Sequence, residues 1–592
     1  MERGKIKIWE HPDGDSRLAI KCPPHVAIRL RRLFGGVQRL RAGEFMLSAT
    51  PAAAYDLEWF RQRHPLDVEK KSESKFRELV KAEEKRLASI AEVDLRGYVP
   101  RKFKLALPPR KYQRVAADLA LRTGQLLIAD DLGLGKTVSA ICTFTAPGKL
   151  PAIVVTMTHL PRQWERELGR FAPKLRVHRI RSGKPYSLLD VKFEPGPDGK
   201  RVERGVPDVI IVNYHKLNGW VENLAAIART IVFDEVQELR HDGSLKYGAA
   251  KALADTCELK IGLSATPIYN YGAEIYSVVH ALAPTALGTR KEFYDEWCGG
   301  ANEGSIQDRN KICVADPAAL GTYLRESGIM IRRTRKEVGR ELPALTIVRH
   351  AVEVDPDRID EAVADVAELA KRVLERTGSN FELMKWSGEI DYRMRQATGI
   401  GKAAAVSDFV RLLVEAGERV VLYGWHHEVY SLWRASFSRE NYEIPFSMYT
   451  GAESESAKVQ SVKDFVEGRS KVLIISHRAG AGLDGLQHVS RTVVIGELDW
   501  SPQVHAQNIG RVHRDGQKEP VAAYYLVAEE GSDPVIADVL GLKDAQSTGI
   551  MNPELVGSPQ LVGAANDHIK RLAEDVLRRR SSASSALLKE SA

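Results

Sequence analysis

The chain has 592 residues, 44% of them hydrophobic, and a net charge of +8. That length allows about four domain-sized units, with ample apolar material for several cores. The five cysteines (Cys22, Cys142, Cys257, Cys298, Cys313) are scattered and form no CxxC pair, which argues against a zinc site and against a disulfide framework.

The charge is unevenly spread. Residues 1–110 hold 24 Lys and Arg against 15 Asp and Glu, so the rest of the chain is near neutral. A basic front end suggests a polyanion partner, nucleic acid above all; the plainer reading is a solvated basic surface. The first residues lack the apolar core of a signal peptide, and no apolar run is long enough to span a bilayer. Low cysteine use fits a reducing compartment. A cytoplasmic, DNA-associated protein without a membrane partner is expected.

In chain order, Lys5–Trp9 alternates as a strand and Val26–Phe34 reads as a helix. Glu44–Leu47 is strand-like, and Ala52–Arg63 is helical. These make a small basic α+β module over residues 1–65. Residues 66–104 read as a charged helical linker, with Phe76, Leu79, Val80, Leu87 and Ile90 at helical spacing. From 105 the texture changes. Short apolar strands (Leu126–Ala129, Ala152–Thr156, Val209–Asn213, Ile231–Asp234, Lys260–Ser264) alternate with helical runs, which is the rhythm of βαβ units and a parallel sheet. Residues 281–345 read as a helical protrusion from this first lobe, 105–345. A second α/β lobe, 346–545, carries strands at Arg419–Tyr423, Lys471–Ser476, Thr492–Gly496 and Ala522–Val527. Residues 546–592 form a C-terminal extension. Arg578-Arg579-Arg580 and a serine-rich run mark its tail as disordered.

Four segments carry chemistry. Asp130-Asp131-Leu132-Gly133-Leu134-Gly135-Lys136-Thr137 lies between an apolar strand and a helix. That is the layout of a phosphate-binding loop: glycines let backbone N–H groups approach phosphates, Lys136 reaches the β/γ-phosphates, and Thr137 reaches Mg²⁺. The general pattern has Gly where this chain has Asp130, and the competing reading is a Gly-rich turn. About 100 residues later, the strand Ile231–Phe233 ends in Asp234-Glu235. Carboxylates at a strand end can hold Mg²⁺ through water (Asp234) and polarise an attacking water (Glu235). Ser264-Ala265-Thr266-Pro267 follows another strand and can link the site to neighbouring loops; alone, it is ordinary turn chemistry. Gln507–Gln517 contains Arg511 and Arg514, which on a helix share one face and can act as arginine fingers across a cleft.

In this order the segments resemble the SWI/SNF-type ATPases of helicase superfamily two, over about residues 105–530. That family's loop also lacks the first glycine. Thr158–Trp164 resembles its motif Ia and Val212–His215 its motif Ib. Leu263–Asn270 is similar to motif III, Ser476–Leu483 to motif V and Gln507–Gln517 to motif VI. Ile331-Arg332-Arg333-Thr334-Arg335-Lys336-Glu337-Val338, followed by Leu342-Pro343, is similar to a block specific to the family. Arg395–Lys402 and Glu497–Pro502 look like the annealing-helicase branch, and the 1–65 module is compared with that branch's small HARP-type modules. The resemblance implies two RecA-like lobes with an ATP cleft between them. It implies ATP and Mg²⁺ as cofactors and double-stranded or forked DNA as a largely sequence-independent partner. Gln113, Asp131, Gly133, Leu134, Gly135, Lys136 and Thr137 would bind nucleotide, with Gln113 reading adenine. Lys136, Asp234, Glu235, Gln507, Arg511 and Arg514 would be catalytic, and Thr137 and Asp234 would hold the metal. One departure stands in motif II, where Gln237 replaces the family's usual His. A duplex-DNA translocase that remodels protein–DNA complexes or rewinds branched DNA is expected. A strand-separating DNA or RNA helicase and a nucleotide-gated scaffold without turnover are the alternatives.

Overall fold

A computed structural model describes residues 4–10, 16–34, 37–41, 43–93, 98–158, 160–189, 191, 205–268, 272–299, 312–440, 443–477, 483, 485–538, 540 and 572–580. Its strands form three sheets.

The first sheet is built from β1 (Gly4–Glu10), β2 (Ser16–Lys21), β3 (Gln38–Arg41), β4 (Glu44–Ser48) and β5 (Leu66–Val68), in the order β3-β4-β2-β1-β5. β5 pairs parallel to β1, so the segment read as the start of the linker completes this sheet. Helices Pro24–Leu33 and Pro51–Arg61 bury Val26, Leu30, Ala54, Leu57 and Phe60 against its inner face. Helix Glu73–Val93 then spans two cores. Phe76 and Val80 pack into the N-terminal core, and Ile90 packs among residues of the next domain. The linker is therefore a strut that shares side chains with both neighbours. Its far end is clasped by ion pairs: Arg122 reaches Glu92 at 2.6 Å, and Arg101 reaches the buried Asp118 at 2.6 Å.

The second sheet contains β6 (Gln125–Ile128), β7 (Ala152–Thr156), β8 (Val177–Arg179), β9 (Val209–Asn213), β10 (Thr230–Asp234), β11 (Leu259–Leu263) and β12 (Met330–Ile331). Their order is β12-β6-β11-β10-β7-β9-β8, and every pairing is parallel. The central strands are buried on both faces, which explains their unbroken apolar runs. Leu127, Ile153, Val155 and Phe233 point to one core; Ile128, Val154, Val232 and Ile261 point to the other. β12 lies within the stretch read as a protrusion. Its pairing to β6 returns that stretch to the sheet edge.

The third sheet contains β13 (Leu345–Val352), β14 (Val420–Gly424), β15 (Phe446–Tyr449), β16 (Val472–Ser476), β17 (Thr492–Ile495) and β18 (Val521–Ala528), all parallel, in the order β13-β18-β17-β14-β16-β15. The sequence reading lacked β13 and β15, whose residues are largely exposed or half-buried and so carry little apolar signal. Helices Pro356–Glu375 and Asn380–Gly401 pack as a hairpin. Leu572, Ala573 and Val576 of the C-terminal extension are buried against them. Of the tail read as disordered, residues 572–580, including Arg578–Arg580, are instead helical because Leu572, Ala573 and Val576 pack on the hairpin; residues 581–592 lie outside the described residues. Both large sheets have the doubly covered parallel form of a RecA-like lobe. Among the described residues no helix is long and apolar enough to cross a membrane.

Phe76→Ala removes a fully buried ring from the N-terminal core. It is expected to lower the stability of that core by about 3–5 kcal/mol, measured as a shift of the first transition in urea unfolding. An unchanged transition would show that the strut helix does not hold the module together.

Candidate nucleotide site

The chemistry-bearing residues of the first lobe collect where its parallel strands end. β6 runs into the loop Asp130–Gly135, and helix Lys136–Phe144 follows. Gly133 (φ +78°) and Gly135 (φ +71°) adopt the left-handed backbone that favours glycine. Both are also crowded: a Cβ on Gly133 would lie 2.5 Å from the Arg335 guanidinium, and one on Gly135 would lie 2.5 Å from Gln113 Nε2. Lys136 opens the helix and donates to the carbonyls of Asp130 (2.8 Å) and Asp131 (3.3 Å). Burial holds its ammonium below the ordinary lysine value, with Glu235 and Asp130 opposing. Thr137 lies in the first helical turn beside it.

The loop is held from outside by the Arg332–Arg335 segment. Asp130, 1% exposed, forms a bidentate pair with Arg333 (3.0 and 2.5 Å) and accepts from the Arg333 backbone N–H at 3.1 Å. Asp131 pairs with Arg332 at 2.6 Å and accepts from the Arg335 N–H at 3.0 Å. The Arg335 guanidinium donates to the Leu132 carbonyl. The residue that replaces the missing glycine thus anchors the loop to the chain beside β6. Three arginines in four residues were the sequence signal for this, but nothing local names their partners. Leu134 is buried. Gln113 is also at the loop: its Nε2 donates to the Leu134 carbonyl (3.1 Å) and lies 3.4 Å from that of Gly135, while its Oε1 accepts from Arg110 N–H at 2.9 Å.

Asp234 and Glu235 end β10, separated from β6 by β11. Trp164 Nε1–H donates to Asp234 Oδ2 at 2.7 Å, and Tyr214 O–H donates to the Asp234 carbonyl at 3.0 Å. Motif Ia, read only as a sequence landmark, therefore orients the carboxylate, and motif Ib holds the backbone beneath it. Burial pushes the Asp234 carboxyl up to about 7. The neighbouring Glu235 charge adds to the shift, while Trp164 and Lys136 oppose it. Glu235 is a non-glycine residue at φ +53°. Such backbone costs of order 1–3 kcal/mol and clusters at functional sites. Gln237 Nε2 donates to Glu235 Oε2 at 2.6 Å, while Gln237 Oε1 is buried without a partner among the described residues. The motif II departure is thus a side chain gripping the Glu235 carboxylate. On the next strand end, Ser264 Oγ accepts from the Thr266 N–H at 2.9 Å. Residues 269–270 of motif III and 478–482 of motif V lie outside the described residues.

From the second lobe, helix Pro502–Ile509 carries Gln507 in its last turn and ends before Arg511. The helical face expected for Arg511 and Arg514 is not there. Gly510 closes the helix, and both arginines sit on the hydrogen-bonded turn that follows, with Arg511 N–H donating to the Asn508 carbonyl at 3.2 Å and Arg514 N–H to that of Val512 at 3.1 Å. The turn nevertheless brings Arg511 to the first lobe. Beside it, a Cβ on Gly510 would lie 2.8 Å from Leu132 Cδ1, and burial holds the Arg511 guanidinium below its ordinary value, with the charges of Tyr423 and Glu235 opposing. Arg514 donates to the Leu483 carbonyl at 3.1 Å. The two stretches Arg395–Lys402 and Glu497–Pro502 pack on each other: Arg395 donates to the Leu498 carbonyl at 3.1 Å, and a Cβ on Gly399 would lie 2.5 Å from Glu497 Oε1.

Residues 112–360 match the SNF2-related domain, and residues 401–516 match the helicase conserved C-terminal domain. Among curated proteins, the chain is similar to the SWI/SNF-related matrix-associated actin-dependent regulator of chromatin subfamily A-like protein 1 of Xenopus laevis. The two are 27% identical over 450 residues, 76% of this chain and 44% of that protein. It is also similar to the DNA annealing helicase and endonuclease ZRANB3 of Mus musculus, at 26% over 461 residues, 76% of this chain and 41% of that one. The chain thus spans less than half the length of these two relatives. Among solved structures it is similar to the Sulfolobus solfataricus SWI2/SNF2 ATPase core in complex with dsDNA. Identity there is 21%, coverage 78% of this chain and 97% of that chain, and the TM-score 0.35.

An acid whose folded pKa lies above its unfolded value takes up a proton on folding. Asp234 therefore penalises the fold increasingly as pH rises from about 4 through about 7. Asp234→Asn is expected to melt higher than the parent at pH 8 and to converge with it near pH 4, without added nucleotide or metal. Equal melting temperatures at pH 8 would contradict a desolvated Asp234.

Proposed function

Because the chain belongs to the SNF2-related ATPases of the helicase type, we propose that it hydrolyses ATP to move along double-stranded DNA, remodelling protein–DNA complexes or rewinding branched DNA. The observation that carries this reading is the seating of the Arg511–Arg514 turn of the second lobe against the first: a Cβ on Gly510 would lie 2.8 Å from Leu132 Cδ1 of the phosphate loop, and Asp515 faces Arg110 at 3.8 Å. A nucleotide-gated scaffold has no need of a second-lobe arginine turn seated on the phosphate loop. Lys136, Asp234, Glu235 and Arg511 together form the set that hydrolysis requires.

In this reading ATP is the substrate. The amides of residues 131–137 and the N-terminal end of helix Lys136–Phe144 hold its phosphates. Lys136 exchanges its two carbonyl partners for phosphate oxygens. Glu235 orients the attacking water, and Gln237 restrains that carboxylate until the water is in place. Arg511 and Arg514 meet the charge that develops on the transferred phosphoryl group; a finger of this kind contributes roughly 10³–10⁵ in rate. The hard oxygen donors of Asp234 and Thr137 suit Mg²⁺. When bound, that ion would neutralise phosphate charge and favour the ionised form of Asp234. Opening and closing of the two lobes would step them along a phosphate backbone. Such contacts carry no sequence code and weaken with salt. One relative's name, DNA annealing helicase and endonuclease, supports the reading in which DNA is rewound.

Lys136→Ala is expected to reduce ATP turnover to background; wild-type turnover in that variant would remove the site assignment. ATPase rates measured without nucleic acid and with single strand, duplex, forked DNA or RNA separate the readings. Stimulation by duplex or fork without strand release is expected. Strand release would favour a strand-separating helicase, and absence of turnover under every condition would favour a scaffold.

A further inference from the structure

The chain leaves the first lobe at Ile331 and enters the second at Leu345. The twelve residues Arg332–Pro343 do more than tether the lobes. At their start, Arg332, Arg333 and Arg335 grip Asp131, Asp130 and Leu132 of the phosphate loop. At their end they grip the turn that carries the two arginines. Arg340 pairs with Asp515 at 2.5 Å, and His513 Nε2–H donates to the Pro343 carbonyl at 2.9 Å. The two ends are joined inside the segment, where the Arg340 N–H donates to the Arg335 carbonyl at 2.8 Å. Asp515 also faces Arg110, 3.8 Å away, whose backbone N–H is held by Gln113. A direct contact closes the circuit: a Cβ on Gly510 would lie 2.8 Å from Leu132 Cδ1 of the loop.

The Arg340–Asp515 pair is partly exposed, with relative side-chain exposures of 29% and 49%. Pairs in that setting add little to stability. What this one fixes is a location. The turn after Ile509 lacks helical support and contains Gly516 at φ +97°. A misplacement of about 1 Å in such a constellation can cost on the order of 100-fold in rate.

We propose that Arg340 and Asp515 are positioning residues, holding the Arg511–Arg514 turn in register with the phosphate loop. The Arg332–Pro343 segment then transmits nucleotide occupancy of the loop to that turn. This rests on the ATPase reading above. Arg340 touches no reacting atom; it acts through Asp515 on Arg511 and Arg514.

The test uses the full chain with two readouts. In steady-state ATPase assays with duplex DNA, Arg340→Ala and Asp515→Asn are each expected to lower kcat about tenfold, with KM for ATP within about twofold of the parent. The double variant should be no slower than either single one, and Arg340→Lys should recover most of the rate. Hydrogen exchange supplies a readout independent of turnover. A non-hydrolysable ATP analogue is expected to protect residues 131–137 and 511–517 in the parent, but only 131–137 in Arg340→Ala. Parental kcat in Arg340→Ala, multiplying losses in the double variant, or persistent protection of 511–517 in Arg340→Ala would each overturn the proposal. Protection of neither segment in the parent would instead overturn the nucleotide-site reading on which it rests.

Discussion

A single buried ion pair organises the first lobe's end of the cleft. Asp130 occupies the place where a phosphate loop usually has glycine, and it is almost wholly removed from solvent. A carboxylate in that position is tolerable only with a partner, because an isolated buried charge costs several kcal/mol. Arg333 supplies the partner with two guanidinium hydrogen bonds and a backbone N–H. The loop is therefore held by the segment just after β12, 203 residues away in the sequence. Its glycines are free to do what only glycine can do: adopt positive φ and let Arg335 and Gln113 come close.

The second constraint is electrostatic. Lys136, Asp234 and Glu235 are half-buried at the strand ends of the first lobe, and each is held by protein groups. Lys136 rests on two carbonyls, Asp234 on the Trp164 indole, and Glu235 on the Gln237 amide. The raised pKa of Asp234 expresses the same imbalance. Burial, and then the adjacent Glu235 charge, favour its neutral form against the Trp164 indole and Lys136. Such a site gains by receiving a cation or by losing a charge, which is the electrostatic logic proposed here for the nucleotide and its metal.

Much of the fold was legible because parallel strands buried on both faces carry continuous apolar runs. The nine strands read in the two lobes agree with β6, β7, β9, β10, β11, β14, β16, β17 and β18 to within a residue or so at each end. Strands with exposed or half-buried side chains were not legible. β13, β15 and the two-residue β12 lack that signature, and their place is decided by pairing to a neighbour. The turn carrying Arg511 and Arg514 shows a similar limit. A spacing of three residues is compatible with a helical face, but Gly510 ends the helix and other backbone bonds shape the turn.

The sequence by itself determined which residue types could bind phosphate, hold a cation and counter phosphoryl charge, because those tasks depend on local chemistry: glycine backbone freedom, a lysine at a helix start, paired carboxylates at a strand end. Only the tertiary structure decided who holds these groups. Trp164 on Asp234, Arg333 on Asp130 and Arg340 on Asp515 are contacts between segments up to 203 residues apart. No local propensity encodes them. They follow from burial, which leaves a charged or polar group no alternative to the partner that the packing brings within reach.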